Sequence, residues 1–90
     1  MTLSRTVRIG NRRGLHARAS AKFVNLASQI DATIEVEKDG NKVCGTSIMG
    51  LMMLGAGPGT TITVEATGVE AAQVIEALAA LVSGRFTEEE

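Results

Sequence analysis

The chain has no tryptophan or tyrosine, two phenylalanines, and one each of cysteine, proline and histidine. Each shortage excludes something. Without aromatic platforms there is nothing for unpaired bases to stack on, and a net charge of −1 offers no basic excess, so nucleic acid is not an expected partner. A single cysteine, Cys44, rules out an internal disulfide and any cysteine-rich zinc site. A single histidine, His16, leaves too few ligands to close another kind of coordination shell, so no metal and no cofactor is expected. The longest apolar run, Ile48 to Ala56, is far too short to cross a bilayer, and no charged-then-apolar leader opens the sequence. A cytoplasmic, reduced protein without membrane contact is the expectation.

What is present is aliphatic. Of the 90 residues 44% are hydrophobic, enough for one small domain, residues 1–90, near the size where a single core just suffices. Charge is divided unevenly. Residues 1–22 carry Arg5, Arg8, Arg12, Arg13, Arg18 and Lys22 with no acid, whereas the remainder carries three basic and ten acidic residues. That split points to a basic face meeting an acidic or phosphorylated partner; the alternative is a solvated surface whose sign varies by chance.

Leu3, Val7 and Ile9 alternate with polar residues, the period of a half-buried strand. Ala19, Phe23, Leu26, Ala27 and Ile30 then recur at helical spacing, predicting a helix over roughly 16–28. Ala32, Ile34 and Val36 predict a second strand, "KDGNK" a tight turn, and Lys42 to Cys44 a short third strand. "TSIMGLMMLG" reads as a short helix opened by Thr46 or Ser47 and closed by Gly55. Ile62, Val64 and Ala66 mark a fourth strand after the "GPG" break. Ala71, Ile75, Leu78 and Val82 mark a last helix ending near Gly84, followed by an acidic "TEEE" tail expected to fray. The order βαββαβα implies an α+β fold with one antiparallel sheet covered on one side by helices. Periodicity leaves the strand order open, and a ferredoxin-like split βαβ arrangement remains possible.

His16 lies in "RRGLHARASAKF", at the mouth of the first predicted helix. Unpaired N–H groups and the helix dipole make this a poor place for an imidazolium and a good place for an anion. A neutral imidazole there offers a ring lone pair to attack phosphorus. The N–H groups of Ala17 and Arg18 would then lie near the bound phosphoryl group, with the Arg18 guanidinium adding a charge-assisted contact. Gly14 would let the preceding turn pass close to an incoming partner. The plainer reading is a histidine that only caps the helix or packs locally. A hydrolytic triad is disfavoured, because no motif surrounds the available acids.

"GLHARAS" at 14–20, followed by "TSIMGLMMLG" at 46–55 and a glycine-bounded last strand and helix, resembles the HPr family. These are the histidine-containing phosphocarriers of the phosphoenolpyruvate-dependent phosphotransferase system, and the likeness covers essentially the whole chain. It implies an open-faced β-sandwich with sheet order 1-4-2-3 and three helices on one face. It further implies a monomer that takes a phosphoryl group on His16 Nδ1 from phospho-Enzyme I, with Arg18 assisting, and passes it to IIA-type acceptors. Such a protein is a carrier and not a stand-alone catalyst. Ser47 matches a serine that an HPr kinase/phosphorylase modifies in some members. One departure is Ala19, where the family usually has proline; alanine keeps the helix, but transfer kinetics are expected to differ. "GLHARA" and "VEATG" look like the nitrogen-related, regulatory branch, though both branches share the chemistry.

The second predicted helix is apolar almost all round. Leu51 and Leu54 supply one buried side, leaving the rest as either an unusually oily core helix or an exposed apolar patch. In the family this helix is a docking surface. Ile48, Met49 and Met52 are the expected docking positions, completed by Ala17, Ala21 and Val24 on the first helix; flexible methionine suits a surface that meets several partners. Ser47 reads as an N-cap, and a phosphate there would put about −2 charge beside the patch. The competing function is a non-catalytic regulatory interaction protein controlled at Ser47, but the presence of His16 argues against it, since family relatives of that kind lack the histidine.

Overall fold

The structure, a computed structural model, describes residues 2–87. Polar and apolar residues alternate along four strands, β1 (Thr2–Arg8), β2 (Thr33–Lys38), β3 (Asn41–Cys44) and β4 (Thr61–Thr67). The alternation buries Val7, Ile34, Val36, Ile62, Val64 and Ala66 on one face of the sheet. Helices α1 (Ala17–Ser28), α2 (Ile48–Met53) and α3 (Ala71–Ser83) cover that face. The sheet is antiparallel in the order β1-β4-β2-β3, which removes the ferredoxin-like alternative.

The core forms because each helix carries one apolar stripe. Ala19, Phe23 and Ala27 of α1 and Val74, Ile75, Leu78 and Val82 of α3 are buried against the strands, joined by Leu51 and Leu54 from α2. Leu26, in the last turn of α1, and Ile30, just beyond it, are expected inside but are only half-buried, packed against the edge of the core. The "DG" turn has the form expected of a tight hairpin, with Asp39 and Gly40 both at positive φ.

The end of the chain departs from expectation. Arg85–Thr87 form a 3-10 turn, and Phe86 is fully buried. Lys22 of α1 holds this turn, its ammonium donating to the Phe86 carbonyl (2.6 Å) and the Thr87 hydroxyl (2.9 Å). Thr87 therefore does not belong to a frayed tail; Glu88 to Glu90, the rest of that expectation, lie outside the described residues. Among the described residues no helix is long and apolar enough to cross a membrane.

Candidate functional site

The strand ends bring together the β1–α1 loop, the loop before β4 and the end of α3. Within the β1–α1 loop the chain must turn sharply to enter α1, and it is pinned at nearly every residue. The Asn11 side-chain amide donates to the Gly14 carbonyl at 2.8 Å, and Leu15 N–H donates to the Ala56 carbonyl at 2.9 Å. Leu15 is buried, and Ser20, one turn into the helix, donates its hydroxyl to the Leu15 carbonyl at 3.2 Å. Gly14 adopts φ 61°, and a Cβ on it would lie 2.1 Å from the Ala56 carbonyl oxygen. The close approach that Gly14 permits is thus to the chain's own 56–57 segment, not to an incoming partner. Gly14 is buried.

This clamp leaves His16 as the N-cap of α1. Its backbone is extended (φ −77°, ψ −177°), and its carbonyl accepts from Ser20 N–H at 2.8 Å. The imidazole Nδ1 accepts a hydrogen bond from Arg18 N–H at 3.3 Å, so Nδ1 carries the lone pair and the ring proton belongs on Nε2. His16 is half-buried, while Ala17 and Arg18 are exposed beside it. The first turn of α1 contains no acid. A ring nitrogen thus sits at the N-terminus of α1, accepting from the N–H of the helix's second residue.

Helix α2 is capped by Ser47, whose hydroxyl accepts from Gly50 N–H at 3.0 Å. Leu51 and Leu54 face the core. Ile48, Met49, Met52 and Met53 are exposed, Met49 at 68% and Met53 at 78%, so the helix is an open apolar patch and not an oily core element. Helices α1 and α2 pack against each other, placing half-buried Ala21 and Val24 on the α1 side. Cys44 is exposed at the end of the edge strand, its carbonyl accepting from Ser47 N–H at 3.2 Å; the Thr46 hydroxyl, then the Thr46 backbone, hold its thiol below the usual value. Among the described residues no group of three or more His, Cys, Asp or Glu side chains could hold a metal ion.

A family model described as "PTS HPr component phosphorylation site" matches residues 3–84. The chain belongs to the PTS-HPr family. It is 47% identical over 88 residues to the phosphocarrier protein HPr of Neisseria meningitidis, covering 98% of this chain and 99% of that protein. It is 43% identical over 86 residues to the phosphocarrier protein NPr of Shewanella violacea, covering 96% and 94%. The fold superposes on the crystal structure of HPr-C-His from Thermoanaerobacter tengcongensis with a TM-score of 0.93 at 42% identity, covering 98% and 99% of the two chains. Those relatives are phosphocarriers, proteins that are not catalysts in themselves.

The family assignment leaves several supporting residues to the geometry. Asn11, Ser20, Ala56 and Phe86 shape the site or anchor α1, and Lys22, counted with the basic stretch in the sequence, is instead committed to the Phe86 carbonyl and the Thr87 hydroxyl. Ser20 had one legible signal, its spacing of one helical turn from His16. Met53, more exposed than Ile48, Met49 or Met52, is not among the expected docking residues.

Proposed function

We propose that this chain is a phosphoryl relay: His16 Nδ1 takes the group from phospho-Enzyme I and yields it to a IIA-type acceptor. The observation that carries the reading is the Nδ1 lone pair held at the mouth of α1 by Arg18 N–H. At 3.3 Å that bond is at the long end of the normal range, so giving it up costs little. Attack of the lone pair on phosphorus forms an N–P bond as the donor's own N–P bond breaks. The phosphoryl oxygens then accept the Arg18 N–H that Nδ1 relinquishes, and the N–H of Ala17 beside it, with the Arg18 fork neutralising charge. Return of the group to an acceptor reverses the step. Docking falls to the patch of Ile48, Met49 and Met52 with Ala17, Ala21 and Val24, where an acidic rim on the partner would meet Arg18.

The decisive experiment is incubation with Enzyme I and labelled phosphoenolpyruvate. Acid-labile, base-stable label is expected on the parent and none on His16→Ala, with the two circular dichroism spectra superimposable. Label of that kind on the alanine variant would refute the relay through His16.

A second reading, control at Ser47, is favoured by the position of that hydroxyl beside the exposed α2 patch. A kinase acting on Ser47 would leave an oxygen still able to accept from Gly50 N–H, so the cap survives while the patch gains negative charge. The acceptor branch, sugar uptake or nitrogen regulation, is decided by which IIA-type protein the labelled chain discharges to.

A further inference from the structure

Four of the cations elsewhere on the molecule are matched. Arg5 pairs with Glu76, Lys38 with Asp39, and Lys42 with Glu35 and Glu65, while Lys22 is committed to the Phe86 carbonyl. Among the described residues Arg12, Arg13 and Arg18 have no acidic partner, and nor do Arg8 and Arg85, which line one recess. The recess, of about 630 Å³, lies between the end of β1, the Pro58–Gly59 loop and the end of α3. Among the described residues its lining contains no acid.

The floor is firm and bare. Gly59 N–H donates to the Ile9 carbonyl at 2.7 Å and Ile9 N–H to the Thr60 carbonyl at 2.8 Å, tying the two loops together. Glycine lies beneath each guanidinium: a Cβ on Gly59 would be 3.8 Å from Arg8 Nη2, and one on Gly10 would be 3.8 Å from Arg85 Nε. Arg85 is held in place by unusual backbone. It has φ 57°, followed by Phe86 at 56° and Thr87 at 61°, and this left-handed run is kept by the buried Phe86 ring and the Lys22 clamp. A cation after the end of α3 is favoured by the helix dipole alone. That accounts for Arg85, but not for Arg8 opposite it or for the glycine under each.

We propose that this recess is a binding site for a small phosphate-bearing anion, separate from His16. Two guanidinium forks present paired N–H donors, the geometry that matches a phosphate better than a spherical ion. The volume falls within the range of small-ligand sites. The two full charges outweigh the partial negative charge at the end of α3.

The test is titration of the isotopically labelled protein with pyrophosphate at constant ionic strength, followed by amide chemical shifts. Saturable shifts are expected at Gly10, Gly59 and Arg85, unchanged in His16→Ala and weakened at least roughly tenfold in Arg8→Gln and in Arg85→Gln. The same spectra report whether each variant is folded, and Arg8→Gln alters no backbone strain. Shifts that never saturate, that centre on Ala17 and Arg18, or that persist in both glutamine variants would overturn the proposal. Equally tight binding of citrate would overturn the phosphate assignment. Because the recess does not use His16, a failed relay and a failed recess give different results.

Discussion

At the scale of single residues, Gly14 and Arg18 make separable demands on the site. Gly14 is fixed by space and by backbone. Gly14→Ala puts a methyl group 2.1 Å from the Ala56 carbonyl oxygen and forces an L-residue to φ 61°. The left-handed backbone alone costs about 1–2 kcal/mol, and the collision adds to it. A fall in Tm of more than roughly 5 °C is expected by thermal denaturation, and an unchanged Tm would mean that the turn relaxes freely. Arg18 is fixed by chemistry. Arg18→Lys keeps the charge and the helix but loses the planar fork, so phosphoryl transfer from Enzyme I should slow about tenfold or more while the far-ultraviolet spectrum stays the same. Equal rates would make Arg18 a solvated helix residue. His16 and Arg18 were legible because a helix start has sequence markers. Asn11 was not: a small polar residue becomes buried only because the fold brings it its partner, and no periodicity announces that.

Among the elements, α2 shows how one short helix serves two masters. Six residues supply a buried edge through Leu51, and Leu54 at its C-terminus extends it; the remaining side chains stay in solvent. The pattern foretold the buried edge but could not decide whether the rest was core or patch, since a helix apolar all round satisfies either. The test separates charge from desolvation. Ser47→Asp should retain the cap and the fold, because aspartate accepts from the helix N–H groups about as well as serine. Its charge beside Ile48, Met49 and Met52 should slow transfer from Enzyme I, and added salt should narrow the gap by screening exposed charges and slowing the parent more. Met49→Glu should also slow transfer but recover less in salt, because desolvating a carboxylate against an apolar partner is costly at any ionic strength. Parental rates in both variants would move docking off α2.

For the whole molecule, the elements and their faces could be read from alternation, but the neighbours of each strand could not. Periodicity says which side of β1 is buried, not that β4 lies beside it; only the likeness to HPr supplied the order. The final turn was missed for a related reason. Phe86 is one aromatic residue between Gly84 and three glutamates, a local context that reads as tail, and its burial depends on the groove between α1 and α3. Phe86→Ala should therefore cost about 3–5 kcal/mol in urea denaturation, a loss on the scale of a core residue. A change below about 1 kcal/mol would show that the turn is peripheral. The sheet order also has a temporal consequence. β1 is the first strand synthesised, yet it is an edge strand and its sole neighbour is β4; Thr2 and Thr67, 65 positions apart, face each other. A nascent chain emerging in order holds β1 without a template until residue 67 is free, and α1, β2, β3 and α2 can gather only around an incomplete sheet. Closing the sheet must wait until β4 has been made, and its rate is governed by closure of that long loop and not by the local hairpin or helices.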